Sequence, residues 1–435
     1  MSTLLRKYAW APFVLWALTS CTEAQTTQTI WAEVVTPDEN FSNYSLNEVQ
    51  IENVENIRNL EHQRFKFLGG GFLSGDDLQN FLAVSSDSKE LAASTRSAFA
   101  QTLSVDFTEA YDVYRANDFD SLLALSAFAG INNVWNWYVD VVGDTSSATT
   151  EKGYVVFYGD VIPSRLLPLP MVQMDNAVYL AGVDAWMIFP VGNQEGVPYA
   201  MNHGVLAHEF HHRVFFQSVW ASHAFERWKS VLNTEAKIST DEQRSLNLLR
   251  ALDEGLADIN AIGFTQNITF MNPSFINDHV DEFTKTLLDA ESQRRNIESN
   301  FSDAATYDNI REDTLEHELF NGCGQANNYE TTGDILSGDV WSPYCLGSVI
   351  ARTLWDGTGR NFNVLNEIFL PAINRSLNEL GIVLSTGKSF DVDVFWDLFI
   401  AELPMDFDIQ GLCENIHLKF LSLSDSGRVP ACQKF

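Results

Sequence analysis

The chain has 435 residues, of which 45% are hydrophobic, so it is long and apolar enough to bury a large core in more than one lobe. Asp and Glu number 58 against 27 Lys and Arg, which gives a formal net charge of −31 at pH 7. A protein this acidic is not expected to bind nucleic acid phosphates or anionic lipid surfaces.

The N-terminal residues 1–20 have the composition of an export signal. Arg6 and Lys7 precede a short apolar run, whereas a membrane-spanning helix needs about 20 apolar residues. The sequence Leu18-Thr-Ser-Cys21 that follows resembles the bacterial lipobox, in which the Cys becomes the lipidated first residue of the mature protein. This resemblance implies a lipid anchor at Cys21 and an outer-membrane or cell-surface location. The alternative is an ordinary signal peptide and a secreted or periplasmic protein.

Residues 21–90 are polar and uneven, which indicates a spacer followed by a small N-terminal structured part. Residues 91–228 are interpreted as an N-terminal lobe. Within it, the sequence predicts helices over residues 94–114 and 119–142, and the β-branched and aromatic content predicts strands over 153–158 and 185–190. Together these elements indicate a mixed sheet that leads into the helix described next.

Residues 204–216 contain the pattern H-E-x-x-H between apolar positions that can seat a helix. His208 and His212 are four residues apart and therefore share one helix face, where two imidazoles can bind one zinc ion. Glu209, beside them, is the candidate general base that takes a proton from water. The flanking His203 and His211 are interpreted as surface or supporting residues and not as ligands.

A second amphipathic helix is predicted over residues 245–261 and supplies the third ligand. Glu254 would complete a His2Glu zinc site, and Asp258, one turn later on the same face, is placed to accept the other ring N–H of a ligand histidine. Asp253 is the rival ligand, but it has no acidic partner four residues later.

The H-E-x-x-H pattern followed by Glu254-Gly-Leu-Ala-Asp258 resembles the glutamate-zincin metallopeptidases, and within them the thermolysin and fungalysin group. Asn176-Ala177 and the aromatic residues after them are similar to the segment that precedes an edge strand in that group. This resemblance implies an α+β, two-lobed zincin fold in which Asn176 and Ala177 hold the backbone of an extended peptide substrate.

This sequence departs from the pattern of the family at the residue that would stabilise the developing oxyanion. Thermolysin-like enzymes use a His or Tyr of the C-terminal lobe for it, and no downstream His lies in a segment that matches. Tyr344 is the candidate, because a phenol can donate one hydrogen bond to such an oxygen. The alternative is a packed aromatic residue beside a disulfide.

Residues 229–435 are interpreted as a mainly helical C-terminal lobe, with further helices predicted over 278–296, 303–318, 347–355 and 392–403. With Cys21 assigned to lipid, an even number of cysteines remains, as expected of an exported protein: Cys323, Cys345, Cys413 and Cys432. Sequence order favours the pairs Cys323–Cys345 and Cys413–Cys432, and reduced thiols are the alternative.

These motifs predict a zinc peptidase that acts on peptides or proteins outside the cytoplasm. Zinc bound by two histidines and a glutamate would polarise the scissile carbonyl, and Glu209 would transfer the proton of water to the leaving amine. Two alternatives remain open at this point: a non-catalytic surface lipoprotein that keeps the zinc fold for binding or assembly, and a zinc hydrolase of non-peptide amides.

Overall fold

The computed structural model describes residues 27–69, 72–74, 93, 96–97, 103, 105–143, 147–157, 160–162, 176–180, 184–189, 196–224, 240–274, 296–299, 305–308 and 343–433. The described chain is α+β, with a mixed sheet in its N-terminal part and a mainly helical C-terminal region. The predicted fold class is therefore confirmed. Cys21, with the rest of residues 1–26, and Cys323 lie outside the described residues.

The strands of the described residues follow one another as β1 (Gln28–Pro37), β2 (Tyr44–Asn56), β3 (Glu61–His62), β4 (Phe65–Gly69), β5 (Phe72–Ser74), β6 (Phe107–Ala110), β7 (Val113–Ala116), β8 (Gly153–Phe157), β9 (Asp160–Ile162), β10 (Asn176–Leu180) and β11 (Ala185–Phe189). Nine of them form one sheet in the order β10-β11-β8-β4-β3-β2-β1-β7-β6, and β5 pairs with β9. The strands predicted over 153–158 and 185–190 are β8 and β11. In this described sheet β10 is an edge strand.

Helix α1 (Phe119–Val142) covers the sheet and matches the predicted helix over 119–142. Asp118 begins it as the N-cap, since its Oδ1 accepts the Ser121 N–H at 2.7 Å. At the centre of the core, the fully buried ring of Trp135 contacts the rings of Phe65 and Phe210, with centroids 6.0 and 5.3 Å away. This aromatic packing joins the sheet to the helix that carries the H-E-x-x-H residues.

The helix predicted over residues 94–114 is wrong at its C-terminal end, where β6 and β7 form an antiparallel hairpin. Tyr111 and Asp112 connect the two strands with φ angles of 57° and 62°. Two consecutive positive φ values are typical of a type I′ turn, which favours Asn-Gly or Asp-Gly. Because Tyr-Asp replaces those residues, the sequence carried no strong hairpin signal.

The longer helices that follow are α2 (His203–Phe215), which continues as a π-helix (Phe216–Ala224), then α3 (Thr240–Thr265), α4 (Pro343–Gly357), α5 (Leu370–Ser385), α6 (Val392–Glu402) and α7 (Gln410–Lys419). Short helical turns lie at Ser147–Thr150, Phe362–Val364 and Leu421–Asp425, and a second π segment lies at Leu365–Phe369. The helices predicted over 245–261 and 347–355 fall within α3 and α4, and the helix predicted over 392–403 corresponds to α6, which ends one residue earlier. Those predicted over 278–296 and most of 303–318 lie outside the described residues.

The C-terminal tail is held by the predicted disulfide Cys413–Cys432, whose Cα atoms are 5.2 Å apart. Cys345, at the first turn of α4, is also in a disulfide. Its expected pairing with Cys323 stays a prediction. Within the described residues, no helix combines the length and apolar character needed to cross a bilayer.

His62, on β3, makes the stability of the fold depend on pH. Its fully buried ring stacks on Phe65 at a centroid distance of 4.7 Å, and burial lowers its pKa from 6.5 to about 4. Below pH 6.5, His62 therefore binds a proton in the unfolded chain but not in the folded chain. The free energy of unfolding falls as the pH decreases to about 4. We expect wild type to lose about 2 kcal/mol relative to a His62→Gln variant between pH 7.5 and pH 5.

The measurement is denaturant unfolding of both proteins in the presence of a chelator, so that metal binding does not contribute. Gln keeps an acceptor for the Arg64 N–H, which bonds His62 Nδ1 at 3.0 Å in the wild type. A difference between the two proteins that stays constant with pH would show that the pKa of His62 is the same in the folded and unfolded chains.

Candidate metal centre

Helix α2 is fixed at its N-terminus by Asn202. The Asn202 side-chain oxygen accepts the Gly204 and Val205 N–H groups at 3.0 and 3.4 Å, and its amide nitrogen donates to the Ser274 hydroxyl at 2.8 Å. The Tyr44 hydroxyl, at the start of β2, donates to the same Asn202 oxygen at 3.1 Å. The cap therefore ties α2 to the N-terminal hairpin and to the loop after α3.

Three side chains from α2 and α3 converge on one point. His208 Nε2 lies 3.1 Å from His212 Nε2 and 3.4 Å from Glu254 Oε2, and His212 Nε2 lies 3.8 Å from the same oxygen. Tetrahedral ligands at about 2.0–2.1 Å from a zinc ion are about 3.4 Å apart, so this triangle has the size of a zinc site. Two imidazoles and a carboxylate are also a donor set that zinc accepts, and the residues present fit the ion.

The other ring nitrogen of each histidine faces a carboxylate. His208 Nδ1 lies 3.0 Å from Asp258 Oδ1, and His212 Nδ1 lies 2.7 Å from Asp253 Oδ1. Each carboxylate orients its ring so that Nε2 faces the common point. Asp258 thus lies beside a candidate ligand histidine. The structure also separates the rival carboxylates, because Asp253 is on the Nδ1 side of His212 and Glu254 is on the Nε2 side.

Burial and charge act on His212 in opposite directions. Burial lowers the pKa of its imidazole, but the carboxylates of Asp253 and Glu254 outweigh burial and raise the pKa to about 10. The raised pKa means that this ring binds a proton more tightly than a free imidazole does. Zinc must displace that proton, so zinc binding should release it and weaken as the pH falls.

Asp253 is the residue of this centre whose role the sequence did not reveal, since it shares no helix face with another carboxylate. We expect Asp253→Ala to lower zinc affinity about 10- to 100-fold, because His212 loses its orienting acceptor. Asp253→Asn, which keeps an acceptor without the charge, should lie between this variant and wild type. Competition with a chromophoric chelator measures the affinity, and equal affinity in all three proteins would show that the 2.7 Å contact does not support the metal.

The Glu209 side chain contacts the edge strand. Its Oε2 accepts the main-chain N–H of Tyr179 at 2.7 Å, and its own carbonyl accepts the Trp186 indole N–H at 2.8 Å. Burial raises the pKa of the Glu209 carboxyl, against the lowering effect of the two imidazoles. A carboxylate with a raised pKa beside a metal position has the property needed to take and return a proton.

The backbone of β10 has one side available in the described sheet. Alternate residues of a strand direct their N–H and C=O groups to opposite sides, and Tyr179 directs its N–H to Glu209 and not to β11. The polar groups of Ala177 therefore point to the same, outer side. Asn176 is the first residue of this strand. The predicted substrate-binding pair thus lies on an edge strand next to Glu209.

Tyr344 is 38% exposed in the first turn of α4. One turn later, Gly347 packs on α3, where an added Cβ would lie 3.0 Å from Glu254 Cβ, and a Cβ on Gly255 would collide with the Gly347 carbonyl. This close helix crossing places α4 directly behind the third candidate ligand. His203 and His211 are both buried, so neither is the surface residue that the sequence allowed.

Comparison with known proteins identifies no family for this chain. No family model matches the chain, and no curated protein matches it. The likeness to the glutamate zincins therefore depends on the motif residues and on the group that they form, in which His208 is buried and His212 and Glu254 are half-buried.

Proposed function

We propose that the protein is a zinc-dependent peptidase of the glutamate-zincin type. The observation that carries this proposal is the triangle of His208, His212 and Glu254, with Glu209 hydrogen-bonded to an edge strand beside it. His208, His212 and Glu254 would hold the ion. When bound, zinc supplies a Lewis acid that polarises the scissile carbonyl and increases the acidity of water.

The residues of the chain supply the remaining steps. The outer side of β10 binds an extended peptide through the main chain of Ala177 and the Asn176 segment, so affinity depends little on substrate sequence. Glu209 removes a proton from the attacking water and delivers it to the leaving amine. Tyr344, on the helix that packs behind Glu254, donates its phenolic hydrogen to the oxyanion. Asp258 and Asp253 hold the ligand rings.

We further propose that the protein acts outside the cytoplasm, anchored through a lipid on Cys21. The Cys413–Cys432 disulfide supports this location, since disulfides persist mainly in oxidising compartments. Mass spectrometry of membrane-extracted protein tests the anchor, because a lipid on Cys21 adds a defined mass to the N-terminal peptide. An N-terminus at another residue would contradict it.

The test of the peptidase proposal is zinc content and casein hydrolysis measured on the same purified samples, with and without a chelator. We expect one zinc per chain and hydrolysis that the chelator removes and added zinc restores. Zinc without hydrolysis of casein or of a library of mixed peptides would favour a non-catalytic binding role. Absence of zinc would overturn both.

A further inference from the structure

A buried polar cluster joins the edge strand to the helix that carries Glu209. Its centre is Asp184, which directly precedes β11 and is 7% exposed. One carboxylate oxygen accepts the Tyr179 hydroxyl at 2.5 Å, and the other accepts the Gln217 amide at 3.1 Å. Tyr179 belongs to β10 and Gln217 to the π-helical continuation of α2. The Asp184 carboxylate therefore connects these two elements through hydrogen bonds at both of its oxygens.

Two arginines complete the cluster. Arg213 Nε, on α2, lies 3.7 Å from Asp184 Oδ1, and Arg96 Nη1 lies 3.6 Å from Oδ2. Arg213 is 1% exposed, and its guanidinium lies over the rings of Trp135 and Trp186 at 5.2 and 5.6 Å. The geometry of these charges is therefore fixed by packing on every side.

The backbone of Asp184 is in the left-handed region, with φ of 48°. This conformation costs about 1 kcal/mol for most residues, and Asp and Asn tolerate it best. A buried carboxylate among arginines is also seldom more stable than an apolar replacement of equal volume. Strained residues and buried charges are concentrated where a structure must hold a particular geometry. The position of this cluster therefore indicates which part of the structure is held in place.

A single residue, Tyr179, separates this cluster from the proposed general base Glu209. Tyr179 is held at two points: its N–H by the Glu209 carboxylate at 2.7 Å, and its phenol by Asp184. Because Arg213 and Gln217 belong to the same continuous helical segment as Glu209, the cluster fixes β10 and the general base relative to each other. Any movement of β10 would shift the substrate backbone with respect to Glu209.

We propose that Asp184 is a positioning residue that holds the edge strand at its working distance from Glu209. The kinetic consequence of this inference rests on the proposed peptidase function. The clamp, which is the pair of hydrogen bonds from Tyr179 and Gln217 to the Asp184 carboxylate, is a property of the metal-free chain. Asp184 contacts none of the candidate metal ligands in the described hydrogen bonds and ion pairs, so its loss should leave zinc binding intact.

The test compares Asp184→Asn, Tyr179→Phe and the double variant with wild type. Asn keeps the size and the left-handed backbone but removes the charge, and Phe removes only the hydroxyl. Asp393→Asn is the matched control, since it removes the charge from another carboxylate–arginine pair. Asp393 lies on α6, and its Oδ2 is 2.7 Å from Arg428 Nε. The readouts are zinc affinity, hydrogen–deuterium exchange of the peptide that covers 176–180, and kcat and KM for a fluorogenic peptide.

We expect both single variants to increase exchange in β10 and to lower kcat/KM about 10- to 100-fold, with zinc affinity unchanged. The double variant should lose less than the sum of the two single variants, because both changes act on the same contact: Asn weakens the acceptor and Phe removes the donor. Unchanged exchange and kinetics in Asp184→Asn, or additive losses in the double variant, would overturn the clamp.

The two proposals fail in different ways. If wild type hydrolyses no peptide but Asp184→Asn still loosens β10, the peptidase function is wrong and the clamp remains. If wild type hydrolyses peptides and the variant exchanges and reacts as wild type does, the function stands and Asp184 is a buried ion pair of the core.

Discussion

We expect Glu209→Gln to lower peptide hydrolysis about 10²- to 10⁴-fold while one zinc ion per chain stays bound, which is the range that a general base contributes. The amide oxygen of Gln can still accept the Tyr179 N–H, so the strand contact at 2.7 Å is kept. What is lost is the only function that an amide cannot replace, which is taking a proton. The measurement is kcat for a fluorogenic peptide beside zinc content on the same samples.

This variant should not lose activity through unfolding. Burial raises the pKa of Glu209, so its ionised form costs free energy in the folded chain at neutral pH, and Gln removes that cost. The free energy of unfolding should therefore stay equal or increase. Glu402→Gln, which removes a carboxylate from a surface pair with Arg375, is the matched control and should keep full activity.

Hydrolysis that persists in Glu209→Gln at the wild-type rate, with zinc bound, would exclude Glu209 as the base. Loss of zinc in the same variant would show instead that Glu209 is a ligand. Only the combination of retained zinc and lost turnover supports the proposed mechanism.

The sequence could predict the candidate metal centre because the residue spacing that forms it is local. His208 and His212 share a helix face by spacing alone, and Glu254 and Asp258 do so on a second helix. Any compact packing of the two helices on these faces brings the four side chains together. The same reasoning correctly predicted α1, α3, α4 and α6, whose periodic apolar residues decide both the element and its buried face.

The contacts that the sequence did not reveal are those between distant segments. Asp253 faces His212 because of the crossing angle of α2 and α3. The periodic pattern of apolar residues does not predict that angle. Asp184 lies in a turn whose neighbours along the chain give no indication that Gln217 and Arg213 will surround it. Tyr111-Asp112 likewise forms a hairpin turn only because the strands around it pair with the sheet.

The peptidase proposal and the binding alternative differ in what they require of Glu209. A protein that kept this fold only for binding would not need a carboxylate with a raised pKa at this position, since an apolar residue of similar volume is often as stable as a buried charge. The chain instead holds Glu209 by a main-chain N–H and connects that strand to the same helix through Asp184. This arrangement supports the proposed peptidase function.

Glu254 is the third candidate ligand of the metal centre. We expect Glu254→Ala to weaken zinc binding by more than about 100-fold, which exceeds what the outer carboxylates contribute, and to remove hydrolysis with it. Two imidazoles alone do not complete a catalytic site, which takes three protein ligands. Asp253 cannot replace Glu254, because its carboxylate bonds the Nδ1 side of His212 at 2.7 Å.

Thermal unfolding with increasing zinc measures this effect without any assay of activity, since a ligand that binds only the folded chain raises the melting temperature. Wild type should respond to zinc at low concentrations, Asp253→Ala at higher concentrations, and Glu254→Ala only where zinc binds nonspecifically. Glu402→Ala should follow wild type. If Asp253→Ala were the variant that lost its response, the ligand and the orienting residue would have to be exchanged. The distances argue against that exchange, because Glu254 Oε2 is the carboxylate oxygen that approaches both Nε2 atoms.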